Sequence, residues 1–124
     1  MKRKVLIIDD EPGFTKIVKL TLEAQKKYEV REVNNPNRAL QDARDYSPDV
    51  IILDVIMPEL DGGDVLTLLK ADPVLKHVPV IFVTATVLKS EVGEHGKTLG
   101  GLFFVAKPVT ASGLMECIEE HIKD

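Results

Sequence analysis

Residues 49–58 read DVIILDVIMP: four consecutive apolar residues run into Asp54, and the chain turns away through Pro58. A strand covered on one face alternates apolar and polar residues. Val50 to Leu53 instead carry apolar side chains on both faces, as a central strand of a parallel sheet with helices on each side requires. The strand therefore implies an α/β sandwich and places a carboxylate where that strand ends.

Outward from this strand, apolar runs alternate with segments of helical period. KVLIID (4–9) reads as a first strand, and Pro12 opens a helix in which Phe14, Ile17, Val18 and Leu22 recur at helical spacing. YEVREV (28–33) alternates in period two, and in NNPNRALQDAR (34–44) Asn35 is placed as N-cap ahead of Pro36. Beyond the central strand, GGDVLTLLKAD (62–72) predicts a third helix, VPVIFVTA (78–85) a fourth strand and LKSEVGEHGKTLG (88–100) a glycine-weakened fourth helix. GLFFVAKP (101–108) is the fifth strand and SGLMECIEEHI (112–122) the last helix, with Leu114, Ile118 and Ile122 spaced by four. Five strand–helix units with right-handed crossovers predict a three-layer α/β/α sandwich around a parallel sheet.

Ligands of open α/β sheets collect at the carboxyl ends of the strands. Here those ends carry Asp9 and Asp10, Asp54, Thr84, and Lys107 followed by Pro108. Each has an ordinary reading: Asp10 and Glu11 as acids at a helix N-terminus, Asp54 as a turn initiator, Thr84 as a strand residue, Lys107 as a loop cation. Together, at one end of four strands, they form a set that a sheet has no need of. Asp9, Asp10 and Glu11 repel one another unless a cation sits among them. Mg2+, a hard ion that prefers oxygen ligands, suits such carboxylates. The chemistry that uses the whole set is phosphoryl transfer to a carboxylate: Asp54 as nucleophile, Lys107 as a mobile charge for a phosphoryl oxygen, and the Thr84 hydroxyl for another.

Composition narrows the alternatives. The 124 residues suffice for one domain with one sizeable core. A net charge of −4, 5% aromatic residues and no basic stripe argue against direct nucleic-acid binding. No apolar run approaches the roughly 20 residues that span a bilayer, and MKRKVLIIDDEP turns acidic too soon for a signal peptide, so a cytoplasmic location is expected. Cys117, the single cysteine, falls on the apolar face of the last helix and reads as core.

The segments IIDDEP, ILDVIMPELDG, VIFVTA and FFVAKP, in this order, resemble the response-regulator receiver domains of two-component signalling, and the resemblance covers essentially the whole chain. It implies a single receiver domain over residues 1–124, with a flavodoxin-like (βα)5 fold and five parallel strands ordered 2-1-3-4-5. By the same resemblance Asp54 is the phosphoacceptor, fed by a histidine kinase or phosphotransfer protein. Asp10, Asp54 and the Ile56 carbonyl ligate Mg2+, and Asp9 acts through water. Thr84 and Phe104 correspond to the family's switch pair, with Phe104 departing from the frequent tyrosine and so lacking a ring hydroxyl. Gly62 and Gly63 serve a tight turn, Met57 and Pro58 shape the loop beside the acceptor, and the Lys107–Pro108 peptide is expected to be cis.

The resemblance also places the output surface on the fourth helix, fifth strand and fifth helix, roughly Leu88 to Lys123, and allows a homodimer there. Such a domain is a phosphoacceptor that can catalyse its own phosphorylation and dephosphorylation rather than an enzyme acting on a separate substrate. Two other classes share part of the pattern. A haloacid-dehalogenase-type phosphatase needs a second acid two residues after its nucleophile, where this chain has Ile56. A phosphorylation-independent pseudo-receiver would be expected to lack some acidic or lysine positions, and none is missing. A flavodoxin would need a Ser/Thr/Gly-rich phosphate loop after the first strand.

Overall fold

The structure, a computed structural model, describes residues 2–85, 96–99 and 102–122. Strands β1 (Arg3–Ile8), β2 (Tyr28–Val33), β3 (Val50–Leu53), β4 (Val80–Thr84), β5 (Lys97–Leu99) and β6 (Leu102–Ala106) form one sheet in the order β2-β1-β3-β4-β6-β5. Helices α1 (Pro12–Glu23), α2 (Ala39–Tyr46), α3 (Gly62–Ala71) and α4 (Ala111–His121) pack on it. All neighbouring strands are parallel except β5, which runs antiparallel to β6.

Period-two alternation divides the apolar residues of the strands between two cores. Val5, Ile7, Val50, Ile52, Ile81, Val83 and Val105 meet Val18 and Leu22 of α1 and Leu114, Cys117 and Ile118 of α4. Leu6, Ile8, Ile51, Leu53 and Phe82 face the other way, onto Ala39 and Ala43 of α2 and Val65 and Leu69 of α3. Val50 to Leu53 are all buried, as a strand between two helical layers must be. Each fully buried Leu or Ile contributes about 2 kcal/mol relative to exposure, so the two layers hold the carboxyl edge of the sheet in a fixed frame. Burial pushes the Cys117 thiol up to about 11, consistent with its core placement.

The local signals act where the sequence puts them. Pro12 occupies the first turn of α1, and Asn35 accepts from Asn37 N–H at the head of a 3-10 turn (Pro36–Arg38) that leads into α2. Asp61 and Asp64 form a capping box on α3, and Thr110 accepts from Gly113 N–H at the start of α4. Ile17 and Leu20 of α1 are exposed, so the apolar stripe of that helix is narrower than its periodicity implies.

The sheet departs from the expected five parallel strands by its sixth, β5. The predicted fourth helix over 88–100 includes Lys97–Leu99, which is strand; residues 86–95 lie outside the described residues. Gly96 has φ +83, and a Cβ there would come within 2.7 Å of the Phe104 carbonyl oxygen, so this close crossing over β6 requires glycine. Leu99 pairs with Leu102, and the two residues between them in sequence are Gly100 and Gly101, a dipeptide that signals a hairpin. That signal outweighs helical propensity already lowered by four glycines. The remaining strands keep the expected order, with β6 as the fifth parallel strand.

Candidate functional site

The sheet registers bring the predicted residues to one edge. Ile8 pairs with Leu53, so Asp9 and Asp54 leave adjacent strands side by side, and Asp54 N–H donates to the Ile8 carbonyl at 3.0 Å. Thr84 pairs with Ala106, and its carbonyl accepts from Lys107 N–H at 2.9 Å, which places the lysine at the same edge. Asp9, Asp54 and Thr84 are all buried.

Lys107 organises the cluster. Its ammonium lies 2.8 Å from Asp9, 2.9 Å from Glu11 and 3.8 Å from Asp54, and its side chain is 13% exposed. Asp9 also accepts from Glu11 N–H at 3.0 Å, and Asp54 from Val55 N–H at 3.0 Å. One carboxylate oxygen from each of Asp9, Glu11 and Asp54 falls within 4.8 Å of the others. This is a compact oxygen-donor set of the kind a hard divalent cation takes.

Electrostatics match that geometry. Burial, reinforced by the charge of Asp9, pushes the Asp54 carboxyl from 3.8 up to about 6, against the opposing pull of Lys107 and the Val55 N–H. Asp9 is also raised, because burial outweighs its hydrogen bond to Lys107. For Lys107, burial alone would lower the pKa; hydrogen bonds to Asp9 and Glu11 and the charges of Asp9 and Asp54 carry it above its usual value. Two buried carboxylates thus share one ammonium, a negative excess that a further cation would relieve.

Of the remaining predicted residues, Asp10 is half-buried and adds its charge to the field at Asp54, but does not join the compact group of three oxygens. The Ile56 side chain is 62% exposed in the loop after Asp54, while the neighbouring Met57 is buried in the α2/α3 layer and anchors that loop. Phe104 stacks on Phe82 with ring centroids 5.2 Å apart. Gly62 donates to the Val55 carbonyl at 2.8 Å; a Cβ there would collide with the Asp54 carbonyl oxygen and sit 2.8 Å from Val55 Cα. The start of α3 can lie this close to the acceptor strand only with glycine. The Lys107–Pro108 peptide is cis.

Sequence reasoning left two contributors, Asn34 and Phe14, out of the site and gave Glu11 no role beyond the acidic run. Glu11 is a direct partner of Lys107, and its signal was its place in the acidic run itself. Asn34, just past β2, donates to the Asp9 carbonyl and to the Thr15 hydroxyl, both at 2.9 Å, tying the acidic loop to the end of β2. Phe14 places its ring 4.3 Å from Lys107 Nζ, a contact between α1 and the end of β6 that no local pattern announces.

Known proteins resemble this chain in sequence and in fold. The family model of the response regulator receiver domain matches residues 5–119. The polar-differentiation response regulator DivK of Brucella anthropi is 33% identical over 124 residues, covering 100% of this chain and 99% of that protein. Among solved structures, the chemotaxis protein CheY4 of Vibrio cholerae superposes with TM-score 0.81 at 26% identity, covering 98% of this chain and 99% of that one. The signal receiver domain of a signal transduction histidine kinase from Syntrophus aciditrophicus gives TM-score 0.78 at 30% identity, covering 97% and 89%. With its sheet order, its buried acidic edge and its matched span in agreement, the chain belongs to the response regulator receiver domain family of two-component signalling.

Proposed function

We propose that Asp54 is the phosphoacceptor of this receiver domain, taking a phosphoryl group from the phosphohistidine of a sensor kinase or phosphotransfer protein. The observation that carries this is the buried Asp54 carboxylate, within 4.8 Å of two other carboxylates and 3.8 Å from a lysine ammonium, at the carboxyl edge of the sheet. In the transfer an Asp54 oxygen attacks phosphorus in line, the P–N bond to the donor imidazole breaks, and its electron pair returns to that ring. A pKa of about 6 leaves Asp54 ionised at neutral pH and raises the free energy of its charged form, so neutralisation by a cation favours the reactive complex.

The donor set suits Mg2+, which when bound would offset charge shared by Asp54 and the incoming phosphoryl oxygens. Asp10, Asp54 and the Ile56 carbonyl are the proposed direct ligands and Asp9 acts through water; the proximity of Glu11 adds it to the candidates. Lys107 takes one phosphoryl oxygen and the Thr84 hydroxyl another. Phe104, on the strand beside Thr84, is the proposed second member of the switch, and the reading surface for an output partner or a second copy includes β6 and α4; its expected part over 88–95 lies outside the described residues. The domain spans residues 1–124 and works in the cytoplasm; no helix among the described residues is long and apolar enough to cross a membrane. It catalyses at most its own phosphorylation and dephosphorylation.

Incubation with acetyl phosphate and Mg2+ followed by mass spectrometry tests the assignment. One added phosphoryl group is expected, lost in Asp54→Asn and absent in chelator. Equal labelling of the variant, or full labelling without divalent metal, refutes it.

A further inference from the structure

The Lys107 ammonium has three hydrogens, and Asp9 and Glu11 engage it at 2.8 and 2.9 Å. Asp54, at 3.8 Å, lies beyond hydrogen-bond reach. On its remaining side the ammonium faces the ring of Phe14, whose centroid is 4.3 Å away. That ring is fixed from behind: Phe14 lies in the first turn of α1 and packs against the core shared by α1 and α4, and its N–H donates to the Glu11 carbonyl at 3.1 Å. Phe14 and Glu11, two contacts of one ammonium, therefore sit on the same turn.

We infer that Phe14 is a positioning residue for phosphotransfer: its ring face retains the Lys107 ammonium in the site while that ammonium exchanges the Glu11 carboxylate for a phosphoryl oxygen on Asp54. The inference rests on the phosphoacceptor role of Asp54. Asp54 lies 3.8 Å away, and with two of its hydrogens on Asp9 and Glu11 the ammonium must turn toward Asp54 to hydrogen-bond a phosphoryl oxygen carried there. Of its two partners Glu11 is the solvent-exposed one, so the 2.9 Å hydrogen bond to it is the contact that water can replace when the ammonium turns. Attraction to a ring face has no such directionality and extends to about 6 Å from the centroid, so it persists over the whole path. A lysine stem is flexible and has no rigid fork to hold it, so without the ring Asp9 and Glu11 alone decide where the ammonium rests. Phe14 thereby limits the freedom of Lys107 without competing for the hydrogens that the phosphoryl group needs.

The test combines phosphorylation rate with a direct reading of the contact. Phe14→Leu keeps apolar bulk and removes the ring quadrupole, Phe14→Tyr keeps the ring. With acetyl phosphate below saturation and Mg2+ saturating, Phe14→Leu is expected to label Asp54 about fivefold more slowly, within the range that cation–π contacts span. Its Mg2+ midpoint should stay at the wild-type value while its melting temperature falls by a few degrees from the lost core packing, and Phe14→Tyr should label within about twofold of wild type. Proton NMR of the Lys107 ε-methylene in the wild-type chain should show an upfield ring-current shift both at rest and with beryllium fluoride bound. Labelling of Phe14→Leu at the wild-type rate, an equal loss in Phe14→Tyr, or disappearance of the ring-current shift on beryllium fluoride binding each overturns the inference; the last requires no variant to fold. A wild-type chain that keeps the resting shift but takes no label at Asp54 shows instead that the phosphoacceptor reading has failed, and the positioning role falls with it.

Discussion

Replacing Asp54 by asparagine should stabilise the metal-free protein. The folded chain holds the Asp54 carboxyl at a pKa of about 6, whereas the unfolded chain holds it near 3.8, chiefly because the group is buried and secondly because Asp9 is charged beside it. A carboxyl with a raised folded pKa binds its proton more tightly when folded. Its ionisation therefore costs nothing below pH 4, costs progressively more between pH 4 and 6, and reaches its full cost above pH 6. A shift of about two units corresponds to about 3 kcal/mol. With the side chain only 7% exposed, solvent screens little of this. Asparagine keeps the volume and can still accept from Val55 N–H, which now donates to Asp54 at 3.0 Å. Urea melts in chelator should give Asp54→Asn an advantage of about 3 kcal/mol at pH 8, or about 10 °C in melting temperature for a chain of this length, vanishing near pH 4. Saturating Mg2+ should close most of the gap by stabilising the wild-type carboxylate. A variant no more stable than wild type at pH 8, or an advantage unchanged between pH 4 and 8, would refute the claim that the acceptor is held under electrostatic strain.

Lys107→Met should have the opposite effect, costing about 3 kcal/mol in chelator at pH 8 because it leaves Asp9 and Asp54 buried without their counter-ion; denaturant titration with and without Mg2+ checks this, and the metal should restore part of the loss. Gly62→Ala should destabilise by several kcal/mol, since its Cβ meets the backbone of Asp54 and Val55, while Gly63→Ala, which meets only the Asp61 side chain at 3.3 Å, should stay within about 1 kcal/mol of wild type. Paired urea melts distinguish the two glycines, and similar costs for both would argue against the close helix–strand approach. Calorimetric Mg2+ titration should rank Asp10→Asn as a larger loss than Asp9→Asn; the reverse ranking would exchange the direct and water-mediated roles.

Much of this site is legible along the chain because a parallel sheet converts sequence position into spatial position. A residue that ends a buried apolar run must lie at the carboxyl edge, so the sequence alone groups Asp9, Asp54, Thr84 and Lys107. The same periodicity located α1 to α3 and α4, and β1 to β4 and β6, and the capping residues marked several of their ends. It failed at Lys97–Leu99, where three residues are too few for a period to register and the choice between helix and strand rests on pairing with Leu102–Phe104. It also overstated the buried face of α1, since periodicity counts Ile17 as apolar without recording that nothing among the described residues covers it.

The succession of strands and helices and the chemical content of the edge thus follow from short-range rules: apolar period, turn residues, and the residue that follows each strand. Which groups touch is set by three-dimensional packing. That Lys107 binds Asp9 and Glu11 while standing 3.8 Å from Asp54, that Phe14 lies against its ammonium, that Asn34 ties down the acidic loop, and that Gly62 must lack a Cβ are all contacts between residues brought together by packing. Their distances depend on helix placement to within about an ångström, which is set by how the side chains of two cores interlock rather than by any pattern along one strand or helix.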